Sequence, residues 1–139
     1  MNSIPWLLLT ILLAATFSGC TDDEITDPYV PGATMTGMWD VFYPSSGRVR
    51  MSLEQEEDSL IGTIEFLGRT HMLRGTLSLS GDMSVSFEVS NSGYPVRRMF
   101  SGKVNGVRDY VSGTYSIEQW IASSWRVSRF EFYAIKMQL

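Results

Sequence analysis

Four times in this chain a glycine sits inside an alternating apolar stretch: LIGTIE at 60–65, LRGTLS at 73–78, FSGKVN at 100–105 and VSGTYS at 111–116. A glycine within a strand costs backbone entropy and forfeits side-chain packing, so its recurrence needs a structural reason. Gly62 shares a face with Leu60 and Ile64, Gly75 with Leu73 and Leu77, Gly102 with Phe100 and Val104, and Gly113 with Val111 and Tyr115. All four fall on the apolar side. A sheet that closes on itself must coil sharply, and a core-facing glycine permits the coil while leaving room for a neighbouring ring. The spacing of the four is unequal, which excludes a solenoid repeat. The pattern predicts a closed barrel in preference to a flat sandwich.

The strands themselves are read from period-two alternation. In RVRMSLEQ (48–55), Val49, Met51 and Leu53 oppose Arg48, Arg50, Ser52 and Glu54; in MSVSFEV (83–89), Met83, Val85, Phe87 and Val89 oppose Ser84, Ser86 and Glu88. Such alternation argues for antiparallel strands with one wet face. Turn-forming clusters punctuate them at EEDS, GRT, SGD, NSGYP, NGVRD and ASS. Eight strands are predicted, near 37–43, 48–55, 60–67, 71–80, 83–90, 96–104, 110–120 and 125–138, in an all-β, closed, antiparallel up-and-down barrel. The last segment changes phase: Trp125 and Val127 are followed by Phe130, Phe132 and Ala134. A bulge near Ser128–Arg129 would bring both sets inward.

Ahead of the barrel the organisation changes. IPWLLLTILLAAT (4–16) is apolar but shorter than the roughly 20 residues that span a bilayer, and it suits the core of a secretory signal. Ser18 and Gly19 precede Cys20, the only cysteine of the chain, so no internal disulfide can form. FSGC resembles the lipobox of bacterial lipoproteins. That resemblance implies a signal peptide at 1–19 and acylation of Cys20, and it makes the membrane a partner through the acyl chains. The expected address is the cell envelope, attached to the outer membrane. Residues 20–36 read as a solvated tether, and TDDE (21–24) resembles the acidic export signal of some surface-exposed lipoproteins.

TGMWDVFY (36–43) carries Gly37-x-Trp39 at the start of the first strand, which resembles the lipocalin-like and avidin-like barrels of the calycin group. Asp109-Tyr110 is a fainter likeness to a second lipocalin signature. The resemblance covers 37–139 and implies that Trp39 plugs one end of the barrel against a basic residue of the last strand. Arg126 and Arg129 are the candidates for that partner.

Catalytic chemistry is sparse. His71 is the only histidine, which removes multi-histidine metal sites, and its place beside a turn reads as a rim position. Glu54, Glu56, Glu57 and Asp58 cluster at one hairpin, where an exposed turn has no means of separating their pKa values for acid–base work. Arg97 and Arg98 alternate in and out of their strand and make no basic patch. A net charge of −4 disfavours nucleic acid as a partner. No enzyme activity, cofactor or metal is expected. Aromatic residues are the informative remainder: Phe87, Phe100, Tyr115, Trp120 and Trp125, with Phe130 and Phe132, either fill the core or line one mouth of the barrel for a small apolar ligand. The alternative is a filled barrel that contacts an envelope protein, including inhibitor-type binding through YVPGATMT (29–36).

Overall fold

The computed structural model describes residues 28–44, 47–91 and 93–138. The signal segment 1–19, Cys20 and the first part of the tether lie outside the described residues. Eight strands follow one another: β1 (Gly37–Tyr43), β2 (Gly47–Glu56), β3 (Ser59–Phe66), β4 (Arg69–Leu77), β5 (Asp82–Asn91), β6 (Tyr94–Val104), β7 (Tyr110–Ile121) and β8 (Ser124–Lys136). Each pairs antiparallel with the next, and β8 returns to β1, from Trp39 opposite Lys136 to Phe42 opposite Tyr133. The sheet therefore closes, and no described strand is left as a free edge over its full length.

Alternation decides which side chains go inside. Trp39, Val41 and Tyr43 of β1, Leu60, Ile64 and Phe66 of β3, and Met83, Val85 and Phe87 of β5 are all buried. Phe100 stacks on Tyr115, centroids 4.7 Å apart, and meets Phe132 edge-on at 5.0 Å. The interior at this level is occupied by rings in mutual contact.

The four repeated glycines are inward-facing, as expected, and the reason is close approach of neighbouring backbones. A Cβ on Gly62 would overlap the carbonyl oxygen of Ser52, and one on Gly75 that of Ser84. Gly102 and Gly113 face each other across β6 and β7, and a Cβ on Gly102 would lie 2.9 Å from the Gly113 Cα. The strands coil tightly against one another at these points, and only a residue without a side chain allows it.

The predicted bulge near Ser128–Arg129 is absent. The β7–β8 register runs without interruption from Tyr110 opposite Ile135 to Ile121 opposite Ser124. Trp125 and Val127 stay outward and exposed, because this half of β8 reaches past the last residue that β1 pairs with. A long free hairpin tolerates the phase change, so no bulge is needed to correct it.

One end of the barrel is sealed. Residues 29–36, read from sequence as tether, cross it: the Val30 amide donates to the Gly106 carbonyl (3.0 Å), and the Met35 amide to Gln55 Oε1 (2.9 Å). Met35 is fully buried beside Trp39, whose Nε1 donates to the Met35 carbonyl at 2.9 Å. Arg108, buried in the β6–β7 turn, stacks its guanidinium on Tyr29 (4.9 Å) and donates to the carbonyls of Val104 and Asn105. Trp39 is 0% exposed, so it does plug this end.

The open end of the barrel as a candidate site

At the opposite end the strands part. Pairing of β2 with β3 stops at Met51–Ile64, of β4 with β5 at Arg74–Ser86, and of β8 with β1 at Tyr133–Phe42. Hairpins β1–β2 and β3–β4 therefore stand apart from the four-stranded run β5–β8, where pairing continues to the tips. Three clefts lie in the gaps. One, of about 740 Å³, is bounded by Tyr43, Val49 and Phe66 with Arg48, Arg50, Arg69 and Glu65; a second, of about 530 Å³, by His71, Phe87, Arg74, Arg97 and Glu88; the third, of about 500 Å³, by Phe42, Tyr43, Tyr133 and Glu131 at the β8–β1 gap.

Inside the barrel at this end stands Arg98. It lies opposite Phe87 on β5 and Ile117 on β7, on the inward side of β6 with Val96 and Phe100. Its guanidinium sits 4.3 Å over the Phe66 ring, and Nη1 donates to the Tyr115 hydroxyl. The Nε of Arg98 is buried and has no partner, and the buried hydroxyl of Tyr43 has none either. A buried donor left unmade costs about 1–3 kcal/mol, and such groups are uncommon in folded proteins. Burial pushes the Tyr115 phenol above its ordinary range, with the Arg98 bond opposing that shift. No ion pair involves Arg98 among the described residues.

The sequence-predicted residues divide between these surroundings. Phe87, Phe100 and Tyr115 are core residues beneath the open end. Trp120 and Trp125 are not with them. They face each other across the outer side of the β7–β8 hairpin, centroids 5.4 Å apart, 41% and 58% exposed. Ala122 and Ser123 make the two-residue turn that holds them opposite, both at positive φ. Arg126 and Arg129 do not meet Trp39. They are exposed, opposite Gln119 and Ser116 towards the open end. The last-strand cation at Trp39 is Lys136, paired in register with it, and its Nζ donates to the Thr34 carbonyl at 2.7 Å. β8 reaches the sealed end only at its C-terminus, so a partner for Trp39 had to come from there.

His71 is half-buried at the open end, its ring 5.7 Å from Phe87 and 6.4 Å from Phe66. Glu54, Glu56, Glu57 and Asp58 are exposed at the β2–β3 turn on the sealed side. Among the described residues no three His, Cys, Asp or Glu side chains converge as metal ligands. Sequence reasoning passed over Arg98 because it weighed Arg97 and Arg98 as neighbours in the chain. The signal was available in the alternation Val96, Arg98, Phe100, which places one arginine on the core side.

An eight-stranded up-and-down barrel with one plugged end is consistent with the calycin-type architecture that Gly37 and Trp39 resemble. Compared with protein-family models and with curated proteins, the chain matches none.

Proposed function

We propose that the protein is an envelope lipoprotein, anchored to a membrane through acylated Cys20, whose barrel is a binding module that takes a small, largely apolar ligand at its open end. The observation that carries the reading is the combination of aromatic walls with buried unpartnered polar atoms: the Arg98 guanidinium lies over Phe66 and on the Tyr115 hydroxyl, Phe87 packs against Phe66 and Tyr43 against Tyr115, and both the Arg98 Nε and the Tyr43 hydroxyl lack partners. Ligand sites have this character, mostly apolar with a few placed polar groups, and the flanking clefts fall within the usual 300–1,000 Å³. The site is a mouth, since the rings below it are already in contact.

The polarity of the molecule fits an anchored receptor. Val30 is bonded at the sealed end, and the eight Cα–Cα steps from Cys20 to Pro28 extend at most about 28 Å. β8, at 13 residues, spans about 43 Å along its own axis. A tether attached at the sealed end turns the open end away from the membrane that holds the acyl chains. Native mass spectrometry of protein purified from the envelope tests both parts: an acyl mass on Cys20 and a co-purifying small molecule are expected, and a bare, unacylated chain would contradict the anchoring.

The second reading, a contact with an envelope protein, rests on the exposed Trp120–Trp125 pair and on the outer stack of Phe42, Tyr133 and Tyr110. Crosslinking from position 125 to one recurrent envelope protein, lost in Trp125→Ala, would favour it.

A further inference from the structure

The charges of this barrel are sorted by side. Every Asp and Glu carried by a strand falls on the outward side of the alternation, from Asp40 in β1 to Glu131 in β8. The cations are not so confined. Arg69, Arg98 and Arg126, from β4, β6 and β8, take the inward side at the open end, in sequence alternation with the buried Leu73, Phe100 and Phe132. A chain of net charge −4 thus carries inward positive charge at its mouth, whereas the carboxylates bordering the clefts there, Glu65 and Glu88, stand on the outward side of their strands. The innermost member, Arg98, is the one whose Nε is buried without a partner, next to Tyr43 and Tyr115.

A guanidinium has five donors in a plane, and the partner that matches two of them at once is a carboxylate. Nη1 is engaged by a phenol and one face by Phe66, which leaves the Nε edge free. We propose that the open end selects organic anions: a small carboxylate whose charged end is received by Arg98 and the Tyr43 hydroxyl, and whose apolar body lies against Phe66, Phe87 and Ile117. This rests on the reading of the open end as a ligand site and adds the charge of the ligand to it. Arg69 and Arg126, exposed at the rim, would draw the anion in, an effect that weakens as salt screens it.

The test uses the purified full-length protein and a matched pair of probes, 3-phenylpropionate and its neutral counterpart 3-phenylpropanol, by isothermal titration calorimetry. The carboxylate should bind at least tenfold more tightly than the alcohol, as a charge-assisted pair requires. Arg98→Gln should bring the two within about twofold of each other, chiefly by weakening the carboxylate. Tyr43→Phe, which removes one hydroxyl from a buried ring, should weaken the carboxylate by about three- to tenfold. Equal affinities in the wild type would overturn the anion selectivity and leave the open-end site standing. A carboxylate preference that survives Arg98→Gln would overturn Arg98 as its receptor. No saturable binding of either probe up to about 10 mM would overturn the anion proposal and the ligand site together.

Discussion

The two ends of this barrel are built from the same eight strands and differ in what they leave unmade. At the sealed end the polar groups around the plug are answered: Trp39 Nε1 by the Met35 carbonyl, Lys136 Nζ by Thr34, the Arg108 guanidinium by two carbonyls and a ring. At the open end the seams part, Arg98 Nε and the Tyr43 hydroxyl go without partners, and Trp120 and Trp125 stand in solvent. The difference teaches where to look for each property. Stability is expected to reside in the end that is satisfied, and the proposed binding in the end that is not, since folded proteins give up stability at functional sites.

The comparison breaks most directly at Trp39. Trp39→Ala should cost ~3–5 kcal/mol, a large part of the ~5–15 kcal/mol that holds a domain, and urea denaturation should show a barely folded or unfolded variant. A wild-type midpoint would mean that the sealed end is not what closes the barrel. Next in size is Gly113→Val. With the Ser101 carbonyl and the Gly102 Cα against any side chain there, overpacking should cost at least ~1–3 kcal/mol. Thr114→Val, on the exposed outer side, should stay within about 0.5 kcal/mol. The double variant Trp120→Ala/Trp125→Ala should lose only the pair energy of ~0.5–1.5 kcal/mol, although it removes twice as many indoles as Trp39→Ala. A loss comparable to that of Trp39→Ala would show that the hairpin is part of the stabilising core.

The sequence disclosed most of the fold because period-two alternation and glycine placement are local signals. Strand number, the facing of every strand but the first half of β8, and the inward position of Trp39 were legible, and observed boundaries differ from expected ones by three residues or fewer. What was not legible depended on closure. The strand assigned as Trp39's neighbour was correct, but the cation on it is Lys136, because only the register between β1 and β8 says which end of the long last strand meets the plug. The same gap hid the open end. Alternation places Phe87, Phe100 and Tyr115 in the core, where they are buried, yet Arg69, Arg98 and Arg126 come from three strands, and only the closed sheet sets all three on its inward side towards the open end. Trp120 and Trp125 were grouped with the core rings on composition, whereas their outward side of an overhanging hairpin keeps them exposed.

A smaller effect concerns pH. Tyr115 is held neutral by burial, so its folded pKa lies above its unfolded value near 10. The folded state then keeps the proton longer than the unfolded chain does. This contribution to stability is complete below about pH 10 and is lost as pH rises through the folded value. The urea midpoint should therefore fall less steeply above pH 10 in Tyr115→Phe than in wild type; parallel curves would mean that the phenol is not buried in this way.

The central claim, that the open end holds its polar groups for a ligand and not for the fold, is tested by removing both members of the Arg98–Tyr115 pair at once. Replacing both partners by apolar groups of similar shape is nearly neutral or stabilising when the pair does not hold the structure. Arg98→Met/Tyr115→Phe should then unfold in urea at the wild-type midpoint or above it, while 3-phenylpropionate binding is lost. A stability loss of more than about 1.5 kcal/mol, beyond the net worth of an ordinary hydrogen bond, would show that Arg98 is a structural element of the barrel and contradict the account.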